Sequence, residues 1–196
     1  MNEDDVLVID TGVAAGVKKH EEEILPLRLV DPSSPVMNEP IPDYDVYTLP
    51  NPGMTNLIQR LKMTMKLHGG MGISANQCGI KERVFVIGSD NFQFPCINPK
   101  FGFPTAPTET MKKEGCLSFP GLSLKVPRHD TINAVYYTEF GEEKTMEFSG
   151  ITAQCFQHEL DHMDGILFTQ HVKPLALKMA KKKQDKVIKK YRRTMK

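Results

Sequence analysis

The chain has 196 residues, of which 40% are hydrophobic, 25% charged and 8% aromatic, and it carries 25 Lys plus Arg against 24 Asp plus Glu. That is globular composition at a length suited to one compact domain. Apolar runs far shorter than the ~20 residues of a membrane span, and an acidic start that does not read as a leader, exclude membrane-spanning, secreted, collagen-like and wholly disordered classes.

The near-zero net charge hides a polarity. Residues 1–45 hold eleven acids and three bases, whereas 173–196 hold eleven bases and one acid, Asp185. Residues 1–23 lack sustained periodicity and are expected to form an acidic, poorly ordered extension. Prolines at 32, 35, 40, 42, 50 and 52 exclude a long helix and predict an irregular arm across the surface. Helix is predicted over Thr55–His68, where Leu57, Ile58, Leu61, Met65 and Leu67 recur at helical spacing, and Gly69, Gly70 and Gly72 end it.

Strands are predicted at Arg83–Ile87, Phe94–Ile97, Thr131–Thr138 and, after a Gly141 turn, Glu142–Phe148. A second helix starts after Ser149-Gly150, carries Ile151, Cys155, Phe156 and Leu160, and stops at Gly165. The last element, from about Pro174, reads as a basic helix with a thin apolar stripe of Ala180, Val187, Ile188, Tyr191 and Met195. The expected organisation is an extension (1–23), a catalytic body (24–172) and a basic helix (173–196). The fold class is α+β, antiparallel strands packed around a central helix.

That central helix contains His158-Glu159-Leu160-Asp161-His162, an HExxH pattern. Residues four apart lie one turn apart on the same face, about 6 Å along the axis. Two imidazoles so placed can hold one divalent ion, with the glutamate in reach of its water. A third ligand is needed. The metzincin spacing would place a histidine at 168, which is Phe168, and no glutamate follows Glu159 for the other zincin class. Cysteine remains, at 78, 96, 116 and 155, and without an export signal these are expected to be unpaired. Cys155 lies one turn before His158, too far back along the helix for a metal held between 158 and 162, and reads as core. Cys116 sits beside Gly115 with a Pro120-Gly121 turn soon after, and alone it reads equally as a buried structural cysteine.

Three segments taken in order, Gly70-Met71-Gly72-Ile73-Ser74-Ala75-Asn76-Gln77, Glu114-Gly115-Cys116-Leu117-Ser118 and Gln157-His158-Glu159-Leu160-Asp161-His162, resemble the motifs of the peptide deformylases. The resemblance extends over about residues 24–190, with Ile97-Asn98-Pro99 and Val126-Pro127-Arg128 fitting between. Two positions depart from it. Ser74-Ala75 replaces two alanines, and Gln154 stands where the family carries an aliphatic residue close to the pocket for the substrate's methionine.

The resemblance implies a metal held by Cys116, His158 and His162 with water as fourth ligand, Fe²⁺ in the native state and Zn²⁺, Ni²⁺ or Co²⁺ as alternatives. It implies Glu159 as general base and then acid, and Gln77 with the Leu117 backbone N–H as oxyanion donors. Gly70, Met71, Gly72, Ile151 and Cys155 become candidates for substrate contact, though Met71, Ile151 and Cys155 serve equally as core. Glu114 and Arg128 become a candidate ion pair behind the cysteine turn. The implied reaction removes formyl from the formylmethionine of nascent peptides in the cytoplasm or an equivalent organelle or host interior. The basic helix becomes a candidate ribosome dock, with no membrane and no specific DNA partner expected, and a solvated helix face is the alternative. Another metal amidase, or a non-catalytic closed metal site, are the rival readings; Glu159 speaks against the second.

Overall fold

Asn51 accepts a hydrogen bond from the Met54 backbone N–H at 2.9 Å, and Pro52 occupies the first turn, so helix α1 spans Pro52–Leu67. It begins three residues before the predicted start. Proline has no N–H to lose there, and its fixed φ suits the first turn. Met54, Ile58, Leu61 and Met65 form its buried face. The computed structural model describes residues 24–89, 92–102 and 109–194, so the extension expected at 1–23 lies outside the described residues.

Strands β1 (Gly72–Ser74), β2 (Val84–Ser89), β3 (Phe92–Gly102), β6 (Thr131–Tyr137) and β7 (Glu143–Ser149) form one antiparallel sheet in the order β1-β2-β3-β6-β7. A separate antiparallel pair joins β4 (Glu109–Glu114) to β5 (Leu124–His129). β2 shows why the sheet is covered on both faces. Phe85 and Ile87 pack into a cluster with Phe156 and Ala153, while Val84 and Val86 pack into a second cluster with Ile58 and Leu61. Alternate residues of a strand point to opposite faces, so four consecutive buried residues require a layer on each side.

The layer on the first face is helix α2 (Gly150–Met163), which contacts β1, β2, β5, β6 and β7. Its Phe156 meets Phe85 edge-on, with ring centroids 5.1 Å apart. Gly150 and Gly165 bracket it, both at positive φ. A Cβ on Gly165 would lie 2.7–2.9 Å from the backbone of Asn38 and Glu39, so only glycine fits where the arm crosses.

The arm itself is irregular, with single 3₁₀ turns at Pro35–Met37 and Val46–Thr48. It does more than cross the surface, because Val36, Met37 and Ile41 enter the α2 core cluster. Arg83, just before β2, ties the arm to the end of α2. It donates to the Ile41 and Met163 carbonyls at 3.1 and 3.0 Å and pairs with Asp164 at 2.7 Å.

Helix α3 (Pro174–Thr194) packs Leu177 and Ala180 against a small third cluster of Leu122, Leu124, Val126 and Phe168. Gln184 Nε2 donates to the Pro120 carbonyl at 2.7 Å. Of the stripe expected on this helix, Ala180 packs inward, Val187 is exposed, and the side chains of Tyr191 and Met195 lie outside the described residues. Among the described residues no helix is long and apolar enough to cross a membrane.

Candidate metal centre and cavity

α2 places His158 and His162 one turn apart, and the β4–β5 turn brings Cys116 to them. The three ligand atoms lie within 4.8 Å of one another. Cys116 Sγ is 3.3 Å from His162 Nε2. A thiolate and two imidazoles at this separation suit one tetrahedral divalent ion with a fourth position left over, and a divalent-metal-binding site is present.

His158 is held from behind, whereas His162 Nδ1 is buried with no hydrogen-bond partner among the described residues. His158 Nδ1 lies 3.0 Å from Glu114 Oε2, so its Nε2 is directed away from that carboxylate. Glu114 in turn receives Arg128 Nε and Nη2 at 2.7 and 3.2 Å. Arg128 Nη1 reaches Asp161 Oδ2 at 2.8 Å, and the same oxygen lies 2.7 Å from His171 Nε2. Burial alone would raise the Glu114 carboxyl, but hydrogen bonds from His158 and Arg128 bring it down to about 2. Burial likewise opposes a charged His158, yet its hydrogen bonds to Cys116 and Glu114 raise it to about 10. The acidic surroundings that hold a proton there favour a divalent cation in its place. His162 is held neutral by burial and by the neighbouring charges of His158 and Arg128.

Glu159 is buried, and its Oε2 has no hydrogen-bond partner among the described residues. Burial pushes its carboxyl up to about 7, in the range where a carboxylate exchanges protons readily. An unpartnered carboxylate oxygen beside the His-Cys-His cluster fits a group that completes its bonds on a ligand.

Gln77 sits in a 3₁₀ turn, Ala75–Cys78, directly after β1. Its Oε1 accepts from the Ser74 backbone N–H at 3.0 Å. Ser74 Oγ lies 3.1 Å from that oxygen and 2.8 Å from Asn76 Oδ1, and its single hydrogen serves one of them at a time. With Oε1 so engaged, Nε2 is turned to Cys116 Sγ at 3.4 Å and Ser118 Oγ at 3.0 Å. Ser74 therefore sets the direction of the Gln77 amide besides packing. Asn76 Nδ2 donates to the Val36 and His162 carbonyls, pinning this turn to the end of α2.

A cavity of about 570 Å³ opens on these groups, lined among others by Gly70, Met71, Gly72, Leu117, Ile151, Gln154, Cys155 and Glu159. Met71 (45% exposed) and Ile151 (55%) stand at its rim and are not core. Cys155 packs on the α2 cluster and donates its thiol to the Met71 carbonyl at 3.1 Å; burial raises its pKa well above the usual thiol value. It is not among the clustered ligand atoms. Gly70 leaves space that a Cβ would take from Leu117, whose Cδ1 would be 2.8 Å away.

Gly72 is tighter still. A Cβ there would overlap Glu159 Oε1 and lie 2.7 Å from Cys155 Sγ. Gly72→Ala is expected to lower kcat for the cavity's reaction about tenfold or more by displacing the Glu159 carboxylate. Metal content per chain should stay unchanged, as the mutation touches no ligand. An unaltered kcat in a well-folded Gly72→Ala protein would show that the carboxylate position is immaterial.

Sequence reasoning missed Ser118, Asp161 and His171. Asp161 lies inside the HExxH segment, but its partners come from β5 and the 3₁₀ turn at Phe168–His171, which no local pattern announces.

The profile of the polypeptide deformylase family matches residues 26–178. The chain is 36% identical over 158 residues to a peptide deformylase of Acidothermus cellulolyticus, covering 80% of this chain and 83% of that protein. Its structure is similar to that of a Synechococcus elongatus peptide deformylase in complex with actinonin (TM-score 0.75, 32% identity, 88% of this chain and 93% of that one). A Legionella pneumophila peptide deformylase is similar to the same degree (TM-score 0.75, 28% identity, 86% and 98%).

Proposed function

The chain belongs to the peptide deformylase family, and on that premise we propose that it removes the formyl group from the N-terminal formylmethionine of new polypeptides with Glu159, Gln77 and Leu117 at the reacting group. One observation carries the residue assignment. Cys116 and His158, whose ligand atoms cluster with that of His162, line one cavity with Gln77, whose amide nitrogen faces Cys116, and with Glu159, whose Oε2 has no partner among the described residues.

Cys116 as thiolate with neutral His158 and His162 would hold the ion, and the site keeps one positive charge. A divalent ion there supplies Lewis acidity, lowering the pKa of a water and polarising the formyl carbonyl. Glu159 takes a proton from the attacking water and returns one to the departing amine, so its carboxyl ends each cycle as it began. Gln77 Nε2 and the Leu117 backbone N–H donate to the oxygen on which charge develops. Gly70 and Gly72 let the peptide backbone lie close to the wall, and Met71, Ile151 and Cys155 receive the first side chain. Glu114 and Arg128 hold the His158 ring in the orientation that presents Nε2. The thiolate-imidazole donor set suits Fe²⁺, Zn²⁺, Co²⁺ and Ni²⁺; family membership supports Fe²⁺ as the native ion.

The test is formate release from formyl-Met-Ala-Ser by anaerobically purified, Fe²⁺-loaded protein, with internal peptide bonds assayed alongside. Release of formate with no internal cleavage supports the assignment. Peptide-bond cleavage without formate release would replace it with a peptidase.

The chain acts in the cytoplasm on this reading, with 24–172 as the catalytic body and the basic helix as a ribosome dock. Lys181, Lys182 and Lys186 of α3 are exposed, whereas Leu177 and Ala180 face the body. Deleting the helix would uncover Phe168 and Leu122, so charge reversal is the cleaner probe. Lys181→Glu, Lys182→Glu and Lys186→Glu together are expected to weaken ribosome co-sedimentation at least tenfold at moderate salt, with formyl-Met-Ala-Ser still turned over. Undiminished co-sedimentation would return this face to simple solvation.

A further inference from the structure

The wall of the cavity nearest the metal centre is one face of α2. Gln154 and Cys155 each lie three or four residues from both Ile151 and His158, and all four line the cavity. Three of these are what an apolar pocket beside an imidazole calls for. Gln154 is not. It is only 8% exposed, and its sole hydrogen bond among the described residues runs from Nε2 to the Lys113 carbonyl at 3.0 Å. A primary amide has two N–H donors and an oxygen with two lone pairs. The second N–H and Oε1 of Gln154 are therefore uncommitted, on a side chain more than nine-tenths buried at the cavity surface.

The Lys113 bond also fixes where that capacity points. It ties α2 to the end of β4, so the amide cannot swing clear of the wall without breaking a partly buried hydrogen bond. Gln154 lies one helical turn, about 6 Å, from His158. A side chain that runs along this wall past His158 reaches the Gln154 amide about one helical turn on. In an aliphatic pocket a polar atom at that depth would lose water and gain nothing. Here it meets a donor and an acceptor.

We propose that Gln154 makes this pocket amphipathic, so that the enzyme accepts formylated first residues with a hydrogen-bonding group near the end of the side chain, methionine sulfoxide and glutamine, alongside methionine. The sulfoxide oxygen accepts the free Nε2–H of Gln154. A substrate glutamine gives an N–H to Oε1. Methionine itself fits because its thioether is a weak acceptor and its methylenes lie on Ile151 and Cys155. Oxidation of methionine to the sulfoxide turns an apolar side chain into a polar one, so the consequence is deformylation of chains whose first residue has been oxidised. The proposal rests on the deformylase reading of the site.

The experiment compares kcat/KM for formyl-Met-Ala-Ser, formyl-Met-sulfoxide-Ala-Ser and formyl-norleucyl-Ala-Ser, using the metal-loaded full chain and its Gln154→Leu and Gln154→Met variants. In wild type the sulfoxide is expected within about tenfold of norleucine. In both variants the sulfoxide-to-norleucine ratio should fall about 10- to 100-fold, the factor by which an apolar pocket penalises an unpaired polar group. Gln154→Met keeps the unbranched shape, so a fall in both variants reports the amide and not a packing defect. Rejection of the sulfoxide by wild type as strongly as by the variants overturns the proposal. If wild type released formate from none of the three peptides, the assigned reaction would fail by itself. Binding of unformylated Met-sulfoxide-Ala-Ser and norleucyl-Ala-Ser, measured by calorimetry, then decides the pocket. Affinities within tenfold uphold it, and a hundredfold preference for norleucine overturns it.

Discussion

Glu159→Ala is expected to bind metal one to one and to lose about 10²- to 10⁴-fold in kcat for formate release, the usual contribution of a positioned general acid–base. The structure separates this effect from any damage to the fold. Glu159 is buried on α2, its Oε2 has no partner among the described residues, and burial has pushed its carboxyl up to about 7. A group in that state costs the folded protein, because its charged form is poorly solvated. Removing it should leave the thermal midpoint of the metal-free protein no lower than that of wild type. A loss of turnover without a loss of midpoint or metal is therefore the expected signature. Near-wild-type turnover in Glu159→Ala would refute its role. So would a collapse of metal content, which would make the residue a ligand.

Glu114→Ala should produce the opposite pattern, with stability and metal affinity falling together. Arg128 is 4% exposed and is neutralised by Glu114 through two hydrogen bonds at 2.7 and 3.2 Å. Without Glu114 it keeps, among the described residues, only Asp161 at 2.8 Å, which His171 also engages. Removing one partner of a buried pair typically costs about 3–5 kcal/mol, or roughly 10 °C in the thermal midpoint for a chain of this size. The His158 ring loses the carboxylate at Nδ1, and metal affinity should fall about 10- to 100-fold. Adding Arg128→Leu should restore much of the midpoint and none of the affinity, since only the stranded charge is relieved.

The pH dependence follows the same pair. Folding lowers the Glu114 pKa from an ordinary 4.5 to about 2, so between those values the unfolded chain binds the extra proton. Its stabilisation is complete above about pH 4.5 and is lost as pH falls toward 2. Glu114→Ala should lack that acid limb. An identical acid profile in mutant and wild type would show that the pair contributes nothing to folding.

Helix α1 was legible from its apolar spacing, and its true start at Pro52 was hidden because prolines were read as breaking the helix, when Asn51-Pro52 is a cap. Strands β4 and β5 were not legible. β4 reads ETMKKE, and its partner contains Pro127, whose missing N–H argues against a strand. Their alternation becomes meaningful only once Glu114 and Arg128 are seen to face inward together with Leu124 and Val126. The arm carried no helical or strand period, so the burial of Met37 beneath α2 had no local sign.

What the amino-acid sequence determined by itself is whatever depends on neighbours along the chain. The helical period alone puts His158, Glu159 and His162 on one turn of α2, and Gly150 and Gly165 bound that helix through backbone freedom. Family membership was readable for the same reason, since it rests on short ordered motifs. What the tertiary structure decided is which distant groups meet that turn. Cys116 comes from 46 residues before His162, and Gln77 lies 39 residues before Cys116. The chain from Glu114 through Arg128 and Asp161 to His171, and the amide of Gln154 against Lys113, arise only when the β4–β5 pair closes over α2. Strand pairing and burial between remote segments set those contacts, and no period along the chain encodes them.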